Sequence, residues 1–450
     1  MRNRRAVVPI EGNARLSRTS PGRTAALSVR LATERGRRLD RAFADVADRL
    51  EARERSFAHE LVYGVTRLRG RLDHLIAPHV QRGIESVDSG VLELLRLGAY
   101  QLLYMGSVPD YAAVSQTVDQ VKAIVGPKPA GFVNAVLRKV EKGGDGLERF
   151  PSESDDPASF LSTWGSHPRW LVERWLGRWS PLDVRRLVEA NNRRPAVNLH
   201  ALDLSPHEAV EVLAEAGVEA EEVGRGSDCV RLGKGAAPAH ALEVIPHAIV
   251  QDPAANLVSR YADVPRGTIV ADLCAAPGGK VLALSDRPAF ILAADRSESR
   301  IRMVRENAHR TGRPVGLVVA DALHPPLRHA DVVLLDVPCS GTGTLSRHPD
   351  GRWRLRPETA TALAELQERM LEAVAPLVAP GGLLVYSTCT LEPEENEERV
   401  EEFLRVRPDF VMAPSQTVPA EHLDPAGRLC VTPQGTGFDG AFAARMRKIG

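Results

Sequence analysis

Two cysteines fifty residues apart, Cys339 in DVPCSGTGT and Cys389 in VYSTCT, each follow an apolar run that predicts a buried strand. A lone cysteine at such a place is usually an inert buried thiol. Two at neighbouring strand ends, beside the carboxylate of Asp336, favour nucleophilic chemistry on an electron-poor ring. Upstream, DLCAAPGGK turns a strand into a helix through Cys274, Ala275, Ala276, Pro277, Gly278, Gly279 and Lys280. Glycines there let backbone N–H groups approach a ligand closely. This turn carries neither GxGxxG nor GxxxxGK[ST], which argues against NAD and ATP. Asp295 ends the second apolar run and could accept both hydroxyls of a ribose, while Asp321 ends the third and could bond an adenine amino group. Each aspartate could equally cap the helix that follows it. Together with the glycine turn they suit an adenosine carrying an amino-acid tail, so S-adenosylmethionine is the expected cofactor. Asp336, at the dry end of a strand, could hold a proton and donate it to a pyrimidine.

These residues need a frame. From Val250 onward, the runs around GTIVADLC, AFILAADRS, PVGLVVADA, HADVVLLDVPC and GGLLVYSTC alternate with helical segments such as SRIRMVRENAHRTG, for which Gly312 is the expected C-cap. Near-continuous apolar strands between helices predict an α/β domain with a doubly wound, mostly parallel sheet, spanning residues 247–450. Ligands of such sheets sit beyond the carboxyl ends of the strands, at the switch in strand order.

Before it, residues 23–145 place apolar residues at three- and four-residue spacing and predict an all-α domain, with Asp88 and Ser89 as N-cap positions. The Gly-, Ser- and acid-rich stretch 146–165 reads as a linker. Residues 166–246 read as a small α+β module: a Trp-rich helix, the strand PAVNLHAL, the capped helix SPHEAVEVLAEAG and the strand CVRLG. Its tryptophans suit core packing better than base stacking.

The 450 residues are 43% hydrophobic, with equal numbers of acids and bases, 58 each. The charge is uneven: Met1 to Arg41 holds eleven arginines against Glu11, Glu34 and Asp40. Residues 1–22 read as a basic flexible arm suited to an anionic partner such as RNA, or simply as a solvated tail. No apolar run suffices to span a membrane, and no secretory signal is recognisable. Five cysteines without CxxC or Cys/His spacing predict free thiols in a reducing cytoplasm, with no disulfide framework and no metal site. A monomer is expected. The acidic run EPEENEERVEEF after Cys389 reads as a solvated helix face with glutamates near its N-terminus.

DLCAAPGGK, DVPCSGTGT with the following RHPDGRW, and YSTCTLEPEENE resemble the signature blocks of the Nop/Sun family of RNA (cytosine-5) methyltransferases. RSFAHELVYGVTR and PAGFVNAVLRKV resemble the NusB-like RNA-binding domain of its bacterial ribosomal RNA members. SHPRWLVERW and NNRRPAVNLHAL resemble the small domain that follows. The likeness covers nearly the whole chain and points to the RsmB-like 16S rRNA subgroup. NLHAL lacks the Arg-Val-Asn common in that strand, and Ala441-Phe442 stands in place of a double aromatic.

The resemblance implies a Rossmann-like class I methyltransferase domain. Residues 274–280 would wrap the methionine end of the cofactor, with Asp295 on its ribose, Asp321 on its adenine and Asp336 at the target base. It also implies that Cys389 is the nucleophile and Cys339 assists product release, whereas DNA cytosine-5 methyltransferases use the earlier Pro-Cys cysteine for attack. A structural role is expected for the Cys274 side chain. Addition of Cys389 to C6 would activate C5 of a flipped or unpaired cytidine for methylation. Three other functions stand beside that one: a cytosine-5 methyltransferase of transfer or other RNA, a DNA enzyme, and a non-catalytic RNA-binding or ribosome assembly factor.

Overall fold

The computed structural model describes residues 20–449. The arm expected over residues 1–22 therefore lies outside the described residues except at its end, where Ser20 caps the first helix by accepting from the Arg23 N–H. The chain forms two compact units. One holds the residues up to Asn192 together with His348–Arg354, and the other holds Arg193–Arg347 and the residues from Leu355 onward.

The first unit is helical. Pro21–Glu34, Ala52–Arg67, Ser89–Tyr104, Asp110–Ile124 and Ala130–Gly143 carry its main core, which includes Leu27, Leu61, Val65, Leu94, Leu97 and Leu137. Asp88 caps Ser89–Tyr104 by accepting from the N–H groups of Gly90 and Val91. The apolar pattern of residues 55–80 is shared by two helices, Ala52–Arg67 and Arg69–Ile76, with a break at Leu68. Leu39–Ala47 is a helix the periodicity did not reveal; only Leu39 and Ala42 in it are buried. Within 146–165, Pro157–Thr163 is helical and buries Phe160 and Leu161. Of the three tryptophans in 170–179, Trp175 is fully buried.

A buried charge network crosses this core. Glu93 accepts from Arg30 Nε at 2.8 Å and is also paired with Arg96, which reaches Asp73 at 2.7 Å. The two arginines outweigh burial and hold the Glu93 carboxyl down at about 2. The segment His348–Arg354 packs in the same unit. Arg352, with no exposed surface, donates to Ser166 O at 3.1 Å, Asn192 Oδ1 at 2.7 Å and Asn191 O at 3.0 Å. Trp353 Nε1 donates to Thr66 O.

The second unit contains two sheets. In the smaller, β1 (Asn198–Ala201), β2 (Ala220–Glu222), β3 (Cys229–Leu232) and β4 (Ala248–Val250) lie in the order β2-β3-β1-β4, every pair antiparallel. The helix between β1 and β2, Pro206–Glu215, starts on a capping box formed by Ser205 and Glu208.

The larger sheet contains β5 (Ile269–Asp272), β6 (Phe290–Asp295), β7 (Gly316–Val319), β8 (Ala330–Asp336), β9 (Val378–Thr388), β10 (Phe410–Met412), β11 (Leu429–Val431) and β12 (Ala441–Lys448). The order is β10-β12-β9-β8-β5-β6-β7, with β11 beside β12. β5 to β9 are mutually parallel, and β10 to β12 are antiparallel additions. Consecutive residues of the central strands feed opposite cores: Val332, Leu334, Leu383 and Val385 point into one, and Val333, Leu335, Leu384 and Tyr386 into the other. Covering both faces requires the unbroken apolar runs seen in the sequence. Gly312 ends Glu298–Thr311 in the left-handed conformation, as expected.

Candidate active site

The strand order reverses between β5 and β8, and the polar residues at the carboxyl ends of these strands and of β9 converge there. Asp336, the last residue of β8, lies opposite Ser387 of β9 in the parallel register. Its Oδ2 accepts from Lys280 Nζ at 2.7 Å and its Oδ1 from Ser387 Oγ at 2.8 Å. Burial opposes the charge on Lys280, but Asp336 outweighs it and holds the ammonium above its usual range. Both oxygens of Asp336 thus act as acceptors. The carboxyl that tends to keep a proton is Asp272, at the end of β5 and 1% exposed. Burial, and then the nearby Asp336, push it up to about 7. Asp272 also accepts from the Cys274 N–H at 3.2 Å. A small cleft, partly open to solvent, is lined by Asp272, Lys280, Asp336, Ser387 and Ser259.

Three residues beyond Asp336, Cys339 meets Cys389. Their sulfurs are 3.2 Å apart, and the Cys389 N–H donates to Cys339 Sγ at 3.3 Å. Cys339 keeps its proton well above the ordinary thiol range, because it shares a hydrogen bond with Cys389 and is buried. The two thiol loops are laced together. Gly343 N–H donates to Cys389 O at 3.1 Å, Leu391 N–H to Thr342 Oγ1 at 2.9 Å, and the hydroxyls of Ser340 and Thr390 lie 2.6 Å apart. A Cβ on Gly343 would stand 2.6 Å from Gly440 Cα and 2.7 Å from Cys389 O, so this crossing needs glycine. Farther along the first loop, Arg347 binds Asp252 and Asp439, each at 2.6 Å. Burial and the neighbouring Asp252 push Asp439 up to about 7.

The glycine loop lies on the β5–β6 side. Ala275 N–H donates to Ala294 O at 2.9 Å, Arg300 donates to Ala276 O, and Asn307 Nδ2 donates to Pro277 O at 3.2 Å. Gly278 has φ +108°, a backbone state closed in practice to other residues, and Gly279 follows it into Gly279–Leu284. Cys274 packs against the core of the large sheet, and burial pushes its thiol above the usual range. Asp295 is buried at the end of β6, where its Oδ1 accepts from Ser297 N–H at 3.0 Å and its Oδ2 pairs with Arg300 at 3.2 Å. Asp321 is exposed two residues beyond β7 and accepts from Leu323 N–H at 2.9 Å.

The structure therefore brings Lys280 to Asp336 and Cys339 to Cys389, while Asp295 and Asp321 each close a turn of their own. Sequence reasoning passed over Asp272, Ser387 and the Arg347 cluster. It also misread the acidic run. Glu392 and Asn396 are buried and Glu395 has no exposed surface; the solvated helix face starts only at Glu397, with Glu397–Val406. A proline and an asparagine among the glutamates, in LEPEENE, were the available sign that this stretch is not uniformly helical.

Comparison with known proteins extends the geometry. The family model described as 16S rRNA methyltransferase RsmB/F matches residues 263–447. The NusB family model matches 22–142, and a ferredoxin-like domain of RsmF/B-like methyltransferases matches 167–238. Ribosomal RNA small subunit methyltransferase B of Salmonella typhi is 34% identical, over 94% of this chain and 97% of its own. A probable ribosomal RNA small subunit methyltransferase B of Bacillus subtilis is 32% identical, over 90% and 93%. Among solved structures, that of PH0851 matches with a TM-score of 0.77 at 25% identity, covering 95% of this chain and 98% of that one.

Proposed function

This chain belongs to the 16S rRNA methyltransferase RsmB/F family, and on that premise we propose that it methylates C5 of a cytidine in 16S rRNA, using S-adenosylmethionine and a transient bond from Cys389 to C6. It is a small-subunit ribosomal RNA methyltransferase with an N-terminal NusB domain. The observation that carries the covalent mechanism is the contact between Cys339 and Cys389 beside the Lys280–Asp336 pair.

Loop 274–280 and Asp295 fit the cofactor: the loop is pinned through its carbonyls and turns on a left-handed glycine, and a buried carboxylate closes the next strand. When bound there, S-adenosylmethionine supplies an electrophilic methyl group. The chain's own residues do the rest. Burial and the shared hydrogen bond favour the protonated form of Cys339, and Cys389 takes the attacking role that the resemblance implies. Its addition to C6 moves ring electrons onto C5, which then becomes the nucleophile. Asp336 and Lys280 offer an acceptor and a donor to the base edge. After methylation the C5 proton leaves to water or a base of the site, and its C–H electron pair becomes the C5=C6 bond. The C6–S pair returns to Cys389 as a thiolate, which the Cys339 thiol can stabilise by a hydrogen bond across their contact. The base must stand clear of its stack for this, so the target is an unpaired or flipped cytidine.

Two variants test the division of labour. Cys389→Ala is expected to abolish methyl transfer, and Cys339→Ala to leave a denaturant-stable protein–RNA adduct. Methylation by Cys389→Ala together with an inactive, adduct-free Cys339→Ala would reverse the assignment. For the substrate, bisulfite sequencing of cells lacking the protein is expected to show loss of 5-methylcytosine at small-subunit rRNA. Loss confined to transfer RNA would overturn that part.

A further inference from the structure

Behind the cysteine loops lies a fully buried carboxylate that the chemistry above leaves without a task. Glu395 sits in the short turn Pro393–Glu395, after β9. One of its oxygens accepts from the Ser340 N–H at 2.9 Å and from Gln367 Nε2 at 3.0 Å, and the other accepts from Ser340 Oγ. The same Gln367 Nε2 donates to Pro338 O at 3.0 Å. Residues on both sides of Cys339 are therefore held by one carboxylate–amide pair. Tyr386, buried in β9, braces that pair from below, with its hydroxyl 3.1 Å from Gln367 Oε1 and 2.6 Å from Glu395 O. A buried carboxylate is costly unless its lone pairs are used, and here peptide, hydroxyl and amide donors all converge on it.

The next residue does something different. Asn396 Oδ1 accepts from Thr388 Oγ1 at 2.5 Å, and Asn396 Nδ2 donates to Thr390 O at 3.0 Å, so it grips both neighbours of Cys389. Two consecutive residues thus reach one cysteine loop each, and the loops also meet through the Ser340 and Thr390 hydroxyls. Resting on the cysteine roles given above, we propose that Glu395 is the positioning residue of the release half-reaction, fixing Cys339 against Cys389, while Asn396 positions Cys389 for attack. Neither touches the base. Glu395 acts through the Pro338–Ser340 backbone, and Asn396 through Thr388 and Thr390. Burial pushes the Glu395 carboxyl upward, partly offset by the Ser340 and Gln367 bonds. Its charge in turn helps to keep the proton on Cys339.

The test uses the full-length protein, S-adenosylmethionine and 16S rRNA from cells lacking the enzyme. It follows adduct formation and release of methylated RNA as separate rates. Glu395→Gln keeps one oxygen for the Ser340 N–H and Gln367 donors but removes the charge and turns the other acceptor into an N–H group facing the Ser340 hydroxyl, which must then accept instead of donate. It is expected to form adduct within about threefold of the parent rate but to release it at least about tenfold more slowly, so that adduct accumulates. Asn396→Ala is expected to show the converse, with adduct formation slowed at least about tenfold. Ser340→Ala removes the hydroxyl bond to Glu395 together with the Ser340–Thr390 contact, and keeps the Ser340 N–H bond to Glu395. It reads the same release step with a smaller effect, and decides the matter alone if Glu395→Gln does not fold. Equal slowing of both rates by Glu395→Gln or Ser340→Ala, or no effect on release, overturns the proposal. If Cys339→Ala traps adduct while these variants do not, the positioning role falls and the cysteine roles stand. If Cys339→Ala traps none, both fall.

Discussion

Asp272 shows how much one unadvertised residue can shape a site. Beside it, Lys280 and Asp336 form a balanced ion pair, so a second ionised carboxylate would leave the cluster with a net negative charge. A folded-state value raised from 3.8 to about 7 means that the native protein binds a proton there that the unfolded chain has lost. The stabilising contribution of that proton is complete below about pH 4 and fades as pH rises toward 7. Three units correspond to about 4 kcal/mol at most. Asp272→Asn keeps an acceptor for the Cys274 N–H and removes the titration. Its urea midpoint relative to the parent is therefore expected to rise between pH 5 and pH 8. A difference that stays flat over that range would show that Asp272 ionises normally in the fold. Asp439 titrates with the same sign in both proteins and cancels in the comparison.

At the scale of elements, the helix Ser89–Tyr104 carries a carboxylate, Glu93, that is 1% exposed. Glu93 is enclosed by Arg30 and Arg96, so Glu93→Gln removes the buried charge they share and leaves Arg30 only the more exposed Glu34 and Arg96 only Asp73. We expect a loss of about 3–5 kcal/mol in chemical unfolding, and a change under 1 kcal/mol would show that water reaches the arginines. Such networks escape sequence reading because their members, at residues 30, 73, 93 and 96, are spread over three helices. The central parallel strands were legible for the opposite reason: burial on both faces writes itself as a local, unbroken apolar run, while the edge strand β7 shows the run without the burial. β2 (AEE) and β4 (AIV) are three residues each, too short to carry a period, and went unread. The cysteine pair was legible in place, since β8 and β9 had to end near one another. The order of its roles rests on resemblance alone, because two thiols in mutual contact are alike in geometry. Glu395 was hidden by its company, because composition alone cannot separate one buried glutamate from exposed ones beside it.

Across the whole molecule, acids and bases balance, so attraction to RNA has to come from their distribution. Five arginines and one glutamate fall within residues 1–19. Deleting those residues is expected to weaken RNA binding and to make log Kd less dependent on log salt, by up to about 3 to 4 in slope. An unchanged slope in a filter-binding titration would mean the arginines do not meet phosphate. The other molecular feature is the membership of His348–Arg354 in the first unit. Helices that end at Asn192 wait for Arg352 to satisfy the carbonyls of Ser166 and Asn191. During synthesis, more than 150 residues separate those partners, which at about 5–20 residues per second is roughly 10–30 s on the ribosome. The amino-terminal unit is thus begun early and completed late, and for that interval its last buried carbonyls are without the arginine that seals them.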